Sequence, residues 1–200
     1  MTALIIASKN AHKVDEIKAS LTAAGIDLDV KSLNDLDNVP EIVEDGTTFE
    51  ENAEKKARAI AKAYPNALVL ADDSGLTIPA LNGEPGVYSA RYAGDHDDAA
   101  NNRKVLEKLS TKVGFDRAAF FTTVMVLVGP DRDSLVVEGQ VPGQIMESWD
   151  GQESFGYDPI FFYEPAGKTF AAMTMEEKNA VSHRGRALKK LINELPQWLA

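Results

Sequence analysis

The sequence predicts an α/β fold, with strands and helices alternating along the chain around an open sheet. Three stretches carry that reading. The run Ala3-Leu4-Ile5-Ile6-Ala7 is apolar and is followed by Ser8-Lys9-Asn10-Ala11-His12-Lys13, then by Val14, Ile17 and Leu21 at helical spacing, which reads as strand, short loop, helix. Ala67 to Ala71 is a second apolar run bounded by turn signals, the pattern of a short strand buried on both faces. Ala118 to Gly129 is a long β-branched and apolar strand that pairs with Ser134 to Val141 across Gly129-Pro130-Asp131-Arg132-Asp133, a hairpin that widens the sheet.

The chain has 200 residues, enough for a single domain over 1–200 with a real hydrophobic core. It contains no cysteine, which excludes a thiol nucleophile, a Cys-based zinc site and a disulfide scaffold. The start of the chain shows no basic leader followed by a long apolar region, and no stretch has the length that spans a bilayer. A cytoplasmic protein is expected. A net charge of −10 argues against nucleic acid or an anionic membrane as partner, because both require a basic face. A small phosphorylated ligand remains open where cations are gathered locally.

In chain order, Ser8 or Asn10 can cap the first helix, and Lys13 falls in its first turn, where a purely structural helix prefers an acid. A cation there suggests a nearby anion, and the helix start can cradle phosphate, although an ordinary capped surface helix has the same residues. Gly25 ends this helix and Leu28-Asp29-Val30 suggests another strand. Asn34 to Gly46 is a polar loop that includes Glu44. Thr48-Phe49-Glu50-Glu51 has capping-box spacing and opens a helix with an apolar stripe at Phe49, Ala53, Ala57, Ile60 and Ala61. Thr48, Asn52 and Lys56 form a polar stripe on one side of the same helix, and for the charged residues of this helix a solvated face is the plain reading.

The buried run at 67–71 ends in Asp72-Asp73-Ser74-Gly75, so two carboxylates and a hydroxyl are expected at a strand's carboxyl end, where open α/β sheets bind ligands. Paired carboxylates suit a divalent metal and the activation of water, and the same residue types also make a plain turn. Strand alternation gives Asp72 and Asp73 separate jobs. Leu81 to Tyr92 reads as a long loop, and Asp97 to Lys112 as a helix carrying Val105, Leu106 and Leu109. Gly151 to Asp158 interleaves glycine with aromatics before the strand Ile160-Phe161-Phe162; an aromatic there can stack on a base, while Phe161 is expected in the core. Lys178, His183 and Arg184 crowd the start of a final helix capped by Ser182 and carrying Leu188, Leu191, Ile192 and Leu195.

Six motifs occur in order: Ser8-x-Asn10-x-x-Lys13; Glu44-Asp45-Gly46-x-Thr48-Phe49-x-Glu51-Asn52-Ala53-x-x-Lys56-Ala57; Ala71-Asp72-Asp73-Ser74-Gly75; Pro85-Gly86-x-Tyr88-Ser89-Ala90-Arg91; Phe155-Gly156-Tyr157-Asp158-Pro159; and Ser182-His183-Arg184-Gly185. Together they resemble the inosine/xanthosine triphosphate pyrophosphatases, and the resemblance runs from about residue 4 to residue 195. It implies an elongated mixed β-sheet flanked by helices, two lobes with an active-site cleft between them, a homodimer, and Mg2+-dependent hydrolysis of ITP, dITP and XTP to monophosphate and pyrophosphate. It further implies that Ser8, Lys9, Asn10, Ala11, His12, Lys13 and Lys56 bind the triphosphate, Glu44 and Asp73 serve the metal, and Asp73 accepts the proton. The same resemblance implies that Ser74 touches substrate and that Phe155, Gly156, Tyr157, Asp158, Lys178, His183 and Arg184 hold the base. Lys9 and His12 stand where many members carry smaller residues such as Gly. A pyrophosphatase of modified pyrimidine triphosphates and a nucleotide-binding regulatory module are the alternatives; the intact Glu44 and Asp73 pair speaks against the second, because binding alone needs no base.

Overall fold

The computed structural model describes residues 3–94, 97–149 and 154–200, the side chain of His12 excepted. Among them, seven strands form one mixed sheet in the order β2-β1-β3-β4-β5-β6-β7. The strands are β1 (Ala3–Ile6), β2 (Asp29–Ser32), β3 (Leu68–Thr77), β4 (Ala118–Val128), β5 (Leu135–Ile145), β6 (Phe161–Tyr163) and β7 (Lys168–Thr169). β1 pairs in parallel with β2 and with β3, whereas β6 pairs antiparallel with β5 and β7. The helices are α1 (Ala11–Ala23), α2 (Phe49–Ala63), α3 (Asp98–Lys108), α4 (Met175–Val181) and α5 (His183–Leu199).

The chain forms two compact units, the first made of Met1–Asp73, Thr123–Gly139 and Ala187–Ala200 and the second of Ser74–Thr122 and Gln140–Arg186. In the first unit the two-residue period of the strands sorts the core. Leu4, Ile6, Leu68, Leu70, Met125 and Leu127 join one cluster with Val14, Ile17 and Leu21 of α1 and with Leu188, Leu191 and Leu195 of α5. The alternate residues Ile5, Val69, Ala71, Val124 and Val126 join another with Ala53, Ala57 and Ile60 of α2. The second unit packs Leu76 and Ile78 of β3, Val105 and Leu109 of α3 and Phe121 of β4 against Tyr157, Phe161 and Phe170. Phe161 lies 4.5 Å from Phe121 and 4.9 Å from Phe170, ring centroid to centroid, in tilted contact, so it is a core residue as expected.

Several boundaries differ from the sequence reading. β3 does not stop at Ala71 but runs on through Asp72-Asp73-Ser74-Gly75 to Thr77, because both carboxylates find partners on the helices that cover their respective faces. Their turn-forming residue types suggested a loop that the pairing overrides. β2 begins one residue later than expected, β5 extends to Ile145, and the 97–112 helix is shortened to α3 with Asp97 as its cap. The stretch 81–92 contains a 3-10 helix at Gly86–Arg91. α4 is a separate helix closed by a Thr174–Glu177 capping box, so Lys178 belongs to α4 and not to the start of α5. Ser182 does cap α5, its Oγ accepting the Gly185 N–H at 3.1 Å.

Gly143 in β5 shows how tightly the second unit is packed. A Cβ there would lie 2.4 Å from Phe161 Cζ and 2.7 Å from the Phe162 carbonyl oxygen. Gly143→Ala is therefore expected to lower stability by about 1–3 kcal/mol through overpacking. Urea unfolding measures this, and a midpoint equal to wild type contradicts it.

Candidate active site

The first unit collects charge around β3. Asp72 and Asp73 continue the alternation of the preceding apolar residues, so Asp72 shares the α1 face with Leu68 and Leu70, and Asp73 shares the α2 face with Val69 and Ala71. Lys13 Nζ accordingly donates to both Asp72 oxygens, at 2.9 and 2.8 Å. Asp72 is only 5 % exposed, and a carboxylate this buried requires such a partner. The anion suggested by Lys13 in the first turn of α1 is thus a residue of this chain.

At the head of α1, Ser8 Oγ accepts the Asn10 N–H at 3.1 Å and Asn10 Oδ1 accepts the Lys13 N–H at 3.2 Å. Asn10 is the helix cap and Ser8 steadies the turn before it. Lys9 and Ala11 are exposed, and the Lys9 carbonyl accepts Asn34 Nδ2 at 3.0 Å. The backbone of His12 belongs to α1, while its side chain, expected to meet substrate, lies outside the described residues.

On the α2 face, Asn52 Nδ2 donates to Asp73 Oδ2 at 3.0 Å and its Oδ1 accepts the Gly46 N–H at 2.7 Å. Asn52 is 1 % exposed, so this part of the polar stripe is not a solvated face. It ties the Glu44–Gly46 loop to Asp73, and Gly46 has to be glycine because a Cβ would sit 2.6 Å from Asn52 Oδ1. Lys56, one turn along α2, donates to the Asp72 carbonyl at 3.0 Å and pairs with Glu44 Oε1 at 3.0 Å. Lys13, Lys56, Glu44, Asn52, Asp72 and Asp73 therefore form one connected group within this unit. Asn52 was missed because a buried polar residue on an amphipathic helix looks, in sequence, like a solvated one.

The second unit contains the remaining expected residues. Ser74 follows Asp73 on β3 and is partly buried. Phe155 is 68 % exposed, Gly156 has φ 59°, and Tyr157 is buried with its hydroxyl donating to the Ser89 carbonyl at 2.8 Å. Asp158 is buried and takes an ion pair from Lys178, with Ser154 Oγ at 3.4 Å. Burial pushes the Asp158 carboxyl up from its ordinary range against the opposing pull of Lys178. His183 is buried with its imidazole stacked on Phe121, centroids 4.8 Å apart and planes 11° from parallel, and Arg184 follows it, partly buried. Gly185 allows that turn to close on α4, since a Cβ would lie 2.0 Å from the Asn179 carbonyl oxygen.

No group of three or more His, Asp or Glu side chains among the described residues is placed to hold a metal by itself. Glu44 and Asp73 are hard oxygen donors, and Mg2+ is commonly held by one or two carboxylates with phosphate and water completing its shell. The donor set fits that ion.

Fold and site together define an α/β protein organised around a strand on which lysines and carboxylates are gathered. The chain matches the Ham1 family over residues 4–194 and belongs to that family. It is 60% identical over 196 residues to the dITP/XTP pyrophosphatase of Leuconostoc mesenteroides, covering 98% of each chain, and 47% identical over 197 residues to that of Lactiplantibacillus plantarum, covering 98% and 96%. Among solved structures it resembles the Ham1 protein of Staphylococcus aureus, with a TM-score of 0.89 at 41% identity over 98% of this chain and 99% of that one. The HAM1 protein of Coxiella burnetii is similar at 0.88 and 42%, over 98% and 100%.

The loop that carries Glu44 is also held by Glu51, whose carboxylate accepts the Thr47 N–H at 2.7 Å and its hydroxyl at 2.9 Å. These bonds, the backbone one foremost, hold the Glu51 carboxyl below its ordinary range. A carboxyl depressed on folding stabilises above its unfolded pKa and loses that contribution as pH falls through the folded value. Glu51→Gln should therefore lower Tm at neutral pH, and the gap to wild type should close as pH drops below about 4. A gap that persists in acid contradicts this role.

Proposed function

We propose that the protein hydrolyses nonstandard purine nucleoside triphosphates, ITP, dITP and XTP, to the monophosphate and pyrophosphate, removing them from the nucleotide pool, with residues 1–200 acting as one catalytic domain. The observation that carries this reading is the convergence of Lys13 and Lys56 on Asp72, beside Glu44 and Asp73, in a chain whose net charge is −10. Such a chain can take a polyanion only where cations are concentrated. The names of the two relatives above support the substrate class.

On this reading the first turn of α1 binds triphosphate through its unsatisfied N–H groups, with Ser8, Lys9, Asn10, Ala11, His12 and Lys13 around it. Lys13 and Lys56, held in place by Asp72 and Glu44, offer their remaining ammonium donors to phosphate oxygens. Glu44 and Asp73 hold Mg2+, which when bound would offset the phosphate charge and favour departure of pyrophosphate. Asp73 accepts the proton of the water that attacks the α-phosphorus, and the Asn52 amide fixes the orientation of its carboxylate.

In the second unit, Phe155 stacks on the purine and Ser74 touches substrate. Gly156, Tyr157 and the Asp158–Lys178 pair shape the base end. His183 and Arg184 donate to the 6-oxo group of hypoxanthine or xanthine. Adenine presents a donor at that position and would leave those groups unpaired, which rejects it. The protein acts in the cytoplasm as a homodimer; no helix among the described residues is long and apolar enough to cross a membrane.

Release of pyrophosphate from ITP, dITP, XTP, GTP and ATP, with and without Mg2+, tests the proposal. Fast metal-dependent release from the first three, with GTP and ATP slow, is expected; release from none overturns it. Asp73→Asn should reduce kcat by about 100–10,000-fold in a folded protein. Near wild-type turnover in that variant removes Asp73 from the chemistry. His183→Ala should narrow the preference for ITP over ATP, measured as the ratio of kcat/KM values, and an unchanged ratio places base reading elsewhere.

A further inference from the structure

The turn that carries Phe155 is held by two side chains on one helix. Asp98, the first residue of α3, accepts the Gly156 N–H through Oδ2 at 2.8 Å. Asn102, one turn further on, donates from Nδ2 to the Gly156 carbonyl at 2.7 Å and to the Asp98 carbonyl at 2.7 Å. The N–H and the C=O of Gly156 are thus both engaged by side chains four residues apart, which share a helix face.

Glycine is needed in this turn for its backbone. Gly156 has φ 59°, in the left-handed region, yet a Cβ built there would meet nothing within 4 Å. The turn directs neighbouring rings in opposite senses: Phe155 is 68 % exposed, whereas Tyr157 is 4 % exposed and anchored to Ser89. An exposed phenyl ring on an unanchored loop would lose conformational freedom on stacking; with its neighbouring peptide fixed, much of that loss occurs on folding.

Asn102 itself is difficult to explain as a core residue. It is 0 % exposed, on the same helix as Val105 and Leu109, and its Oδ1 has no hydrogen-bond partner among the described residues. An unmet buried acceptor is destabilising, and a leucine would avoid that cost. What the amide does supply is its donor, directed at Gly156.

We infer that Asp98 and Asn102 are positioning residues for the purine, holding the Gly156 peptide so that the Phe155 ring is preorganised for stacking. The inference rests on the reading of Phe155 as the base-stacking surface. Stacking contributes alike to the bound substrate and the transition state, so loss of the grip should appear in KM and not in kcat.

Steady-state kinetics with ITP on Asn102→Ala, Phe155→Ala and the double variant test this. Asn102→Ala is expected to raise KM about 5–10-fold, part of what a base stack contributes, with kcat within about twofold of wild type. In the Phe155→Ala background the same substitution should change KM by less than about twofold, because the ring through which it acts is gone. KM effects that multiply, or a fall in kcat at unchanged KM, overturn the inference. Asp98→Ala provides the same cycle if Asn102→Ala folds poorly, and Asp98→Asn, which keeps an acceptor for the Gly156 N–H, should restore KM to near wild type; failure of that rescue counts against the grip. A raised KM in Phe155→Ala beside a wild-type KM in Asn102→Ala overturns the inference alone. An unchanged KM in Phe155→Ala overturns the stacking reading, and the inference with it.

Discussion

The two-residue period of β3 is the constraint on which the rest of the first unit depends. Leu68, Leu70 and Asp72 share one face and Val69, Ala71 and Asp73 the other, so the same pleat that divides the core divides the two carboxylates. Asp72 meets Lys13 of α1, and Asp73 meets Asn52 of α2. Adjacent residues of one type thereby acquire different chemistry: one carboxylate is neutralised by a cation, the other is oriented by an amide. A one-residue slip of the strand would exchange every one of these partners.

The cations are held in the same economical way. A lysine withdrawn from water needs a partner, and in the described structure Lys13 and Lys56 find theirs in Asp72 and Glu44. On the proposed reading, the opposite charges that these pairs hold in place meet a phosphate and a metal, whereas ion pairs withdrawn from water contribute little net stability. Asn52 gives this arrangement stiffness by joining the Gly46 backbone to Asp73, and Glu51 secures the same loop at Thr47.

The second unit uses polar groups differently. Its core is aromatic, with Phe121, Phe161 and Phe170 in mutual contact, and His183 is stacked on that cluster. Several of its polar side chains hold main chain: Asn102 and Asp98 engage Gly156, Tyr157 reaches Ser89, and Ser182 caps α5. The result around Gly156 is a fixed backbone that leaves the Phe155 ring exposed. Rigid support beneath an exposed aromatic is what recognition by stacking requires, since affinity then is not lost to ordering the loop.

The sequence by itself determined the elements and the order of the motifs. Apolar runs at 3–7, 67–71 and 118–129, the helical spacing of Val14, Ile17 and Leu21, and caps such as Thr48 and Ser182 are local signals, because burial periodicity and capping operate over a few residues. The carboxylates, lysines and aromatic loop were visible for the same reason. Only the tertiary structure decided which polar groups meet: Lys13 and Asp72 are 59 residues apart, Asn52 and Asp73 21, and Asn102 and Gly156 54. A buried amide and a solvated one have the same side chain, so Asn52 and Asn102 gave no local sign of their roles. The continuation of β3 past Ala71 followed likewise from partners distant in sequence, because a polar residue's conformation is decided by the hydrogen bonds that folding brings to it.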